Sequence, residues 1–294
     1  MSAERPTPAA AASGDADEVE EVEVPDEDLV LATDEDGIRI LTLHNPPRRN
    51  GWNHLMEHRY FALLDEADND PDVRVIVVTG HGRTFCPGLD VKRLTATADE
   101  GEIRFTERRP QTYPLGIRKP MIAAINGGCA GIGFAQSLNC DIRFAADTAR
   151  FSTAYARRGL PAEYGTSWLL PRLIGVENAL DLLLSGRVFG AEEAKALGLV
   201  SRVVPAERLM DEVLAYAREL VEHCSPAAMA AIRRQVYGDL SRRFDDSMVS
   251  TLAIMREFAR SEHFAEGVAA FAEKRAPRFA GLDPRDRLDG DLGY

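Results

Sequence analysis

The sequence predicts an α/β fold in which a sheet core is followed by a helical C-terminal segment. Residues 73–78 and 121–125 are short apolar runs, and each ends close to glycine. Such runs are typical of strands buried on both faces of a parallel sheet. From residue 175 onward, apolar residues recur at the spacing of amphipathic helices, with one interruption. Together these patterns predict a sheet covered by helices and then an all-helical region.

Residues 1–27 are predicted to form a disordered acidic tail. Within residues 1–28, ten acidic residues accompany a single base, Arg5, so this stretch carries −9 of the net charge of −12. The tail is rich in alanine and proline and buries too little apolar surface to offset the entropy of ordering. The remaining chain is predicted to comprise an α/β core at 28–215 and a helical segment at 216–294.

The elements of the core follow from the apolar spacing. Strands are predicted at 29–31, 38–43, 73–78, 121–125 and 141–145, and helices at 50–68 and 133–139. Strands alternating with helices favour right-handed crossovers. The later helices are predicted at 176–184, 191–197, 206–222, 226–237, 244–260 and 261–274, with a strand at 199–204.

Composition excludes several classes of function. Apart from its tail the chain is nearly neutral, so it lacks the basic surface of a nucleic-acid-binding protein. No apolar run is long enough to predict a membrane span. The N-terminus has neither the arginines of a transit peptide nor the apolar core of a signal peptide. The four cysteines show no metal-ligand spacing, and we expect a cytoplasmic protein with reduced thiols and no bound metal.

Two strand-to-helix junctions carry the strongest chemical signal. Residues 83–90 follow one predicted buried strand, and residues 126–133 follow the next. Their glycines allow the backbone to approach a ligand closely, and free N–H groups at a helix start attract negative charge. Two such N–H groups directed at one point would form an oxyanion hole. Either junction alone is more typical of an ordinary turn, and it is their joint occurrence that favours a site.

The motifs around these junctions resemble those of the crotonase (enoyl-CoA hydratase/isomerase) family. The matching segments occur in order, at 41–51, 75–90, 119–142, 159–175, 194–203 and 271–275. The resemblance implies a crotonase-like ββα spiral core with a helical C-terminal trimerisation segment. It also implies an acyl-CoA thioester substrate, and a homotrimer or a dimer of trimers. Coenzyme A would be part of the substrate, and no other cofactor is implied.

The resemblance also assigns roles to individual residues. The oxyanion donors would be the backbone N–H groups of Leu89 and Ile132, of which Ile132 stands where the family usually has glycine. The neighbouring substrate-binding positions are Gly88, Asp90 and Gly131. The adenine and phosphates of CoA would be bound by Arg48, Arg49, Gly51 and Lys92. Phe271 and Lys274 match a C-terminal pair that reaches the CoA of a neighbouring subunit.

The acid/base groups depart from the family pattern. Hydratases of the family use two glutamates, and the matching positions here are Ala135 and Tyr155. Glu163 matches a position at which related isomerases and a dehalogenase carry a catalytic aspartate. A carboxylate in a largely apolar pocket has a raised pKa and suits proton transfer next to a thioester carbonyl. We therefore expect Glu163 to be the acid/base group, with Tyr155 and Trp168 contacting the substrate.

Three functions follow from these observations. The first is an enoyl-CoA hydratase/isomerase-like enzyme that stabilises an enolate, with isomerisation favoured over efficient hydration. The second is a non-catalytic acyl-CoA-binding protein, which Ala135 and Tyr155 favour and Glu163 opposes. The third, a serine hydrolase on a related fold, is disfavoured because the second junction contains no serine.

Overall fold

The computed structural model describes residues 24–90 and 109–283. Its larger sheet has the strand order β1-β2-β3-β5-β7-β10. These strands are β1 (Val30–Glu35), β2 (Ile38–Leu43), β3 (Val75–Gly80), β5 (Met121–Ile125), β7 (Ile142–Ala146) and β10 (Arg202–Val204). All adjacent strands are parallel except the β1–β2 hairpin. Every residue of β3 and β5 is buried, as expected for the centre of a parallel sheet.

The first strand of the β1–β2 hairpin is longer than predicted. It was predicted at 29–31, but β1 continues to Glu35 and only Asp36 and Gly37 form the loop. Both residues have positive φ angles, 48° and 82°. A two-residue loop with positive φ at both positions matches the right-handed twist of the two strands, so the strands stay paired up to the loop.

A second, smaller sheet was not predicted. It consists of β4 (Thr84–Cys86), β6 (Gly128–Ala130), β8 (Arg150–Ser152) and β9 (Phe189–Gly190), in that order. Three times, a strand of the large sheet continues into the small one: β3 into β4, β5 into β6 and β7 into β8. Strands this short contain too few residues to show an alternating pattern, so the sequence analysis placed β4 and β6 within the two glycine-containing junctions and assigned no element to β8 and β9.

The helices of the described residues cover both sheets and form the C-terminal region. They are α1 (His54–Asn69), α2 (Ile132–Leu138), α3 (Thr166–Ile174), α4 (Val176–Ser185), α5 (Ala191–Ala196), α6 (Leu209–His223), α7 (Pro226–Asp239), α8 (Phe244–Phe258) and α9 (Glu262–Glu273). Helix α3 was not predicted, because it is short and contains Pro171. The proposed boundary between 215 and 216 falls inside α6. Part of the predicted tail is also ordered, since Asp26–Asp28 form a 3-10 helix.

A buried polar cluster joins α7 to the sheet. The Arg233 guanidinium lies 2.9 Å from the Asp141 carboxylate, and Tyr237 donates a hydrogen bond of 2.8 Å to the same group. Asp141 also accepts a bond of 2.7 Å from the Met121 backbone at the start of β5. Since these groups are largely buried, the helical segment is fixed to the core by directional contacts. Within the described part of the chain, no helix is long and apolar enough to cross a membrane.

Candidate active site

Glycine allows the two predicted junctions to pack directly against each other. A Cβ atom on Gly133 would lie 2.2 Å from the Cys86 carbonyl oxygen, and one on Gly127 would lie 2.0 Å from the Arg83 carbonyl oxygen. Side chains larger than hydrogen are excluded at both positions by the opposite backbone. The loop after β3 and the loop after β5 are therefore in contact along their length.

The Leu89 amide is held in place while remaining free of a protein acceptor. Trp52 forms an isolated parallel bridge with Leu89, in which the Trp52 N–H donates to Gly88 at 2.9 Å and the Asp90 N–H donates to Trp52 at 3.0 Å. The first bond uses the carbonyl group of the peptide that carries the Leu89 N–H, and the second uses the N–H group of the next peptide. Among residues 24–90 and 109–283, that N–H donates to no protein group.

The Ile132 amide has a similar environment. Ile132 is the first residue of α2 and is 2% exposed. Gly131 precedes it with φ 53° and ψ −120°, a conformation that only glycine adopts readily. The Gly131 N–H donates to Ser152 at 3.1 Å, whereas the Ile132 N–H has no protein acceptor in the described parts of the chain. The first N–H groups of a helix have no partner within it and are suited to binding negative charge.

The structure brings these two backbone positions together. A Cβ atom on Gly131 would lie 3.6 Å from the Gly88 Cα atom, and one on Gly88 would lie 3.6 Å from the Ala130 carbonyl oxygen. Leu89 and Ile132 each follow one of these contacting glycines. Among the described residues, two amides without a protein acceptor thus lie on adjacent loops, and an oxyanion hole needs two such donors.

Two asparagines that the sequence analysis did not single out hold the loops. Asn126 donates to the carbonyl groups of Gly80 at 2.7 Å and Gly82 at 2.9 Å, and accepts from the Gly80 N–H at 3.2 Å. Asn50, which is 1% exposed, donates to His81 at 2.9 Å and Thr84 at 2.7 Å. The sequence did carry a signal for both, because each asparagine directly precedes a glycine, a pair that is typical of turns.

The predicted CoA-binding residues occupy different environments. The Arg48 Nε atom lies 3.1 Å from the Asp90 carboxylate, which connects the first motif to the second. Arg49 follows it with an exposed side chain and φ 52°. Gly51 packs against the second motif, since a Cβ atom there would lie 3.5 Å from the Asp90 Cα atom. Lys92 lies outside the described residues.

The predicted C-terminal pair lies on the surface. Phe271 is 87% exposed, and Lys274 follows at the end of α9 in the left-handed conformation. Phe271 borders an apolar groove of about 330 Å³ between α7, α8 and α9. Neither Leu89 nor Ile132 lines this groove.

Tyr155 lies beside the second junction and is 3% exposed. Its hydroxyl group donates to the Gly131 carbonyl oxygen at 3.1 Å and lies 3.2 Å from the Thr166 hydroxyl group. Burial raises the pKa of Tyr155, so the phenol remains protonated. The sequence analysis expected this side chain to contact the substrate, whereas its polar atom is engaged with the backbone of the loop that carries Ile132.

Glu163 lies close enough to Tyr155 for its charge to raise the pKa of the phenol further. Its carboxyl group is half-buried, and burial raises its own pKa above the ordinary value. Tyr164 follows with φ 53° and Gly165 with φ 75°, so a left-handed turn leads from Glu163 into α3. A left-handed tyrosine is an uncommon conformation, and such strain often accompanies functional sites.

Two further predicted positions lie on α2 and α3. Ala135 is fully buried in α2, where the family's hydratases have a glutamate, so this face of the helix carries no acid. Trp168 in α3 is half-buried, and the Arg172 guanidinium lies over its ring at 4.1 Å from the centroid. The Trp168 ring therefore has one face covered by protein.

Comparisons with known proteins identify the family of the chain. The model of the enoyl-CoA hydratase/isomerase family matches residues 33–282. A probable enoyl-CoA hydratase of Mycobacterium tuberculosis is 35% identical over 260 residues, which cover 86% of this chain and 98% of the relative. The 1,2-epoxyphenylacetyl-CoA isomerase of Escherichia coli is 32% identical, with coverages of 86% and 99%.

Solved structures show the same fold. A probable enoyl-CoA hydratase/isomerase from Mycobacterium abscessus superposes with a TM-score of 0.80 at 30% identity, covering 86% of this chain and 99% of its own. An enoyl-CoA hydratase from Mycobacterium marinum is 48% identical over 73% of this chain and all of its own, with a TM-score of 0.64. The predicted crotonase-like α/β core is confirmed, and the chain belongs to the crotonase (enoyl-CoA hydratase/isomerase) family.

Proposed function

We propose that the protein is an acyl-CoA enzyme that stabilises an enolate of its thioester substrate. The observation that carries the proposal is the pair of unpaired amides, Leu89 and Ile132, on loops that meet at Gly88 and Gly131. A thioester oxygen bound between them would receive two hydrogen bonds. In known enzymes one such donor contributes roughly 3–4 kcal/mol to transition-state stabilisation.

The acid/base role belongs to Glu163. Its carboxylate removes a proton from a carbon next to the thioester carbonyl or conjugated with it, and the electron pair moves to the thioester oxygen. Return of the same proton to a different carbon completes an isomerisation and restores the carboxylate. Partial burial supports this role, because a pKa raised towards neutrality suits both removal and return of the proton.

Hydration is disfavoured by the other two positions. Adding water to an enoyl thioester requires a group that activates the water and a group that protonates the neighbouring carbon. Ala135 has no polar side chain, and Tyr155 is engaged with Gly131. One carboxylate suffices for a proton shift, so isomerisation or another enolate reaction fits these residues better than hydration.

Purified protein assayed with crotonyl-CoA and with a 3-enoyl-CoA tests the proposal. We expect isomerisation of the 3-enoyl ester at a higher rate than hydration of crotonyl-CoA. Glu163→Gln should reduce turnover by about 100-fold or more, as loss of a general acid/base does, while CoA-ester affinity is retained. Glu192→Gln, which changes an exposed acid on α5, is the matched control and should retain wild-type turnover.

The second function, a non-catalytic acyl-CoA-binding protein, rests on the absence of acids at residues 135 and 155. It predicts that the wild-type protein binds a broad panel of CoA esters with no turnover of any of them. In that case Glu163→Gln would leave every measured property unchanged. Turnover that disappears in Glu163→Gln would exclude it.

We further propose a homotrimer, or a dimer of trimers, located in the cytoplasm and requiring no cofactor besides the CoA of its substrate. Large apolar side chains are exposed on the C-terminal helices, including Ile232, Val236, Phe244, Val249, Met255, Phe264, Val268 and Phe271. Apolar patches of this kind are typical of protein interfaces. Light scattering should give three or six times the chain mass of 32.3 kDa, and a monomer mass would contradict the assembly.

A further inference from the structure

The hydroxyl groups of Tyr155 and Thr166 form a chain that ends at the oxyanion loop. Tyr155 lies 3.1 Å from the Gly131 carbonyl oxygen and 3.2 Å from the Thr166 hydroxyl oxygen. Both side chains are buried, at 3% and 0% exposure. Neither hydroxyl therefore exchanges freely with solvent, and their partners are fixed by the fold.

The direction of this chain follows from the chemistry of its groups. A carbonyl oxygen only accepts, so the single Tyr155 proton is donated to Gly131. The Thr166 hydroxyl must then donate its proton to the Tyr155 oxygen. Burial raises the pKa of Tyr155, which keeps that proton in place over the working pH range.

The last link is the peptide bond between Gly131 and Ile132. In a trans peptide the C=O and N–H groups of one amide point in opposite directions. Fixing the Gly131 carbonyl therefore fixes the direction of the Ile132 N–H. The Ala135 N–H donates to the same carbonyl at 3.0 Å, so both of its lone pairs are used. Hydrogen bonds to a carbonyl also polarise its amide and strengthen the N–H as a donor.

The chain also begins at the segment that carries the acid/base group. The Thr166 N–H donates to the Glu163 carbonyl oxygen at 3.0 Å, so Thr166 closes the turn that holds Glu163. Ala154, just before Tyr155, has φ 60°, an uncommon conformation that sets the direction in which Tyr155 leaves the backbone. One hydroxyl chain thus links the Glu163 turn to the Ile132 amide.

We propose that Tyr155 is a positioning residue that orients and polarises the Gly131–Ile132 peptide, so that the Ile132 N–H is directed at the substrate oxyanion. In this chain the tyrosine supports the oxyanion hole through the Gly131 carbonyl group, on the side of the peptide opposite the Ile132 N–H. It stands at a position where the family's hydratases carry a glutamate. The inference rests on the proposed function, because it requires that an enolate binds between Leu89 and Ile132.

Acetoacetyl-CoA is a suitable probe, because its enolate absorbs in the near ultraviolet and forms without turnover. The measured quantity is the pH at which half of the bound ligand is enolate. An oxyanion hole lowers this pH relative to free ligand. Tyr155→Phe should raise it towards the free value by about one unit, a tenfold loss of enolate stabilisation comparable to one net hydrogen bond. Affinity for CoA alone should not change.

Three further variants separate positioning from general stability. Thr166→Val removes the first donor and should shift the half-enolate pH less, in the same direction, whereas Thr166→Ser keeps the hydroxyl and should restore it. Tyr237→Phe removes a buried hydroxyl that bonds to Asp141 and should leave the half-enolate pH at the wild-type value.

The outcomes are distinct. If wild-type protein neither binds acetoacetyl-CoA nor lowers its half-enolate pH, the proposed function fails and the role of Tyr155 fails with it. If wild-type protein lowers that pH and Tyr155→Phe lowers it equally, only the role of Tyr155 is overturned. Should Tyr155→Phe fail to fold, the contrast between Thr166→Val and Thr166→Ser decides, and equal values for these two would overturn the proposal.

Discussion

The loops that carry Leu89 and Ile132 lie beside the segment that carries Tyr155 and Glu163, but the two regions depend on sequence in different ways. The loops present main-chain amides, and their glycines are fixed by close backbone approach, as at Gly133. The segment presents side chains, and their identity determines which acid/base and positioning groups the site contains. The loops, here called the backbone region, therefore keep their amide donors when a side chain changes. The segment, here called the side-chain region, can change the reaction when a side chain changes.

Ile132 and Tyr155 illustrate this contrast. The resemblance to the family predicts glycine at residue 132, where this chain has isoleucine, and the Ile132 N–H lies at the start of α2. The resemblance predicts a glutamate at residue 155, where this chain has tyrosine, and the Tyr155 phenol bonds to Gly131. A side-chain change therefore has little effect on the chemistry at residue 132, where the backbone N–H acts, and a large effect at residue 155, where the side chain acts. Each prediction below tests one side of this comparison.

Gly133→Ala should have the largest effect, because it acts on the backbone region. The added methyl group would lie 2.2 Å from the Cys86 carbonyl oxygen, so one loop must move. We expect a loss of about 3 kcal/mol in the free energy of unfolding, as for overpacking in a core, together with loss of thioester binding. Denaturant unfolding measures the first, and titration with a CoA ester measures the second.

The control for this change is Gly116→Ala. Gly116 has open space where the methyl group would be added and has no positive φ angle. Its free energy of unfolding and ligand affinity should remain close to wild type. Equal stability of the two alanine variants would show that the two loops can move apart without loss of stability. Close backbone contact would then not be what fixes the glycines of the backbone region.

Sequence alone predicted the backbone region better than its surroundings. Glycines at 88, 131 and 133 leave a recognisable pattern, because steric exclusion acts on residue type directly. The bonds of Asn126 and Tyr155 join residues far apart in the chain, at separations of 46 and 24. No local pattern encodes such partners. For the same reason the small sheet, whose strands pair across distant segments, was not predicted.

Glu163→Gln should have the next largest effect, and its pH dependence sharpens the comparison. As a base, Glu163 must be deprotonated, and burial raises its pKa above the ordinary glutamate value. The rate kcat/KM should therefore fall as pH decreases through this raised pKa, at a higher pH than for an exposed carboxyl. The remaining activity of Glu163→Gln should lack that decline.

A profile of kcat/KM against pH for wild type, Glu163→Gln and Glu192→Gln makes this measurement. The exposed-acid variant should retain the wild-type profile. If the acidic decline persists unchanged in Glu163→Gln, another group supplies it and the side-chain region has been assigned to the wrong residue.

Asn126→Asp should have an intermediate effect, since this side chain acts on the backbone region from outside. The carboxylate cannot donate to the Gly80 and Gly82 carbonyl groups, which now receive bonds of 2.7 and 2.9 Å. We expect a loss of about 2 kcal/mol in the free energy of unfolding. Asn178→Asp on α4 is the control, because Asn178 also donates to a carbonyl group, that of Ile174 at 2.9 Å, but is exposed. Water can replace that bond, so this variant should differ little from wild type in the same denaturant titration.

The smallest effect is expected for Arg49→Ala, which changes only a surface charge. Arg49 is exposed, whereas Arg48 is paired with Asp90 and contributes to the loop structure. An exposed charge that meets a phosphate contributes little in water and is screened by salt. Arg49→Ala should raise KM about threefold at low ionic strength with kcat unchanged. The difference from wild type should shrink in high salt, because screening weakens the same attraction. A fall in kcat would instead mean that Arg49 helps to hold the loop that carries Leu89. The surface charge would then affect the backbone geometry of the site as well as substrate binding.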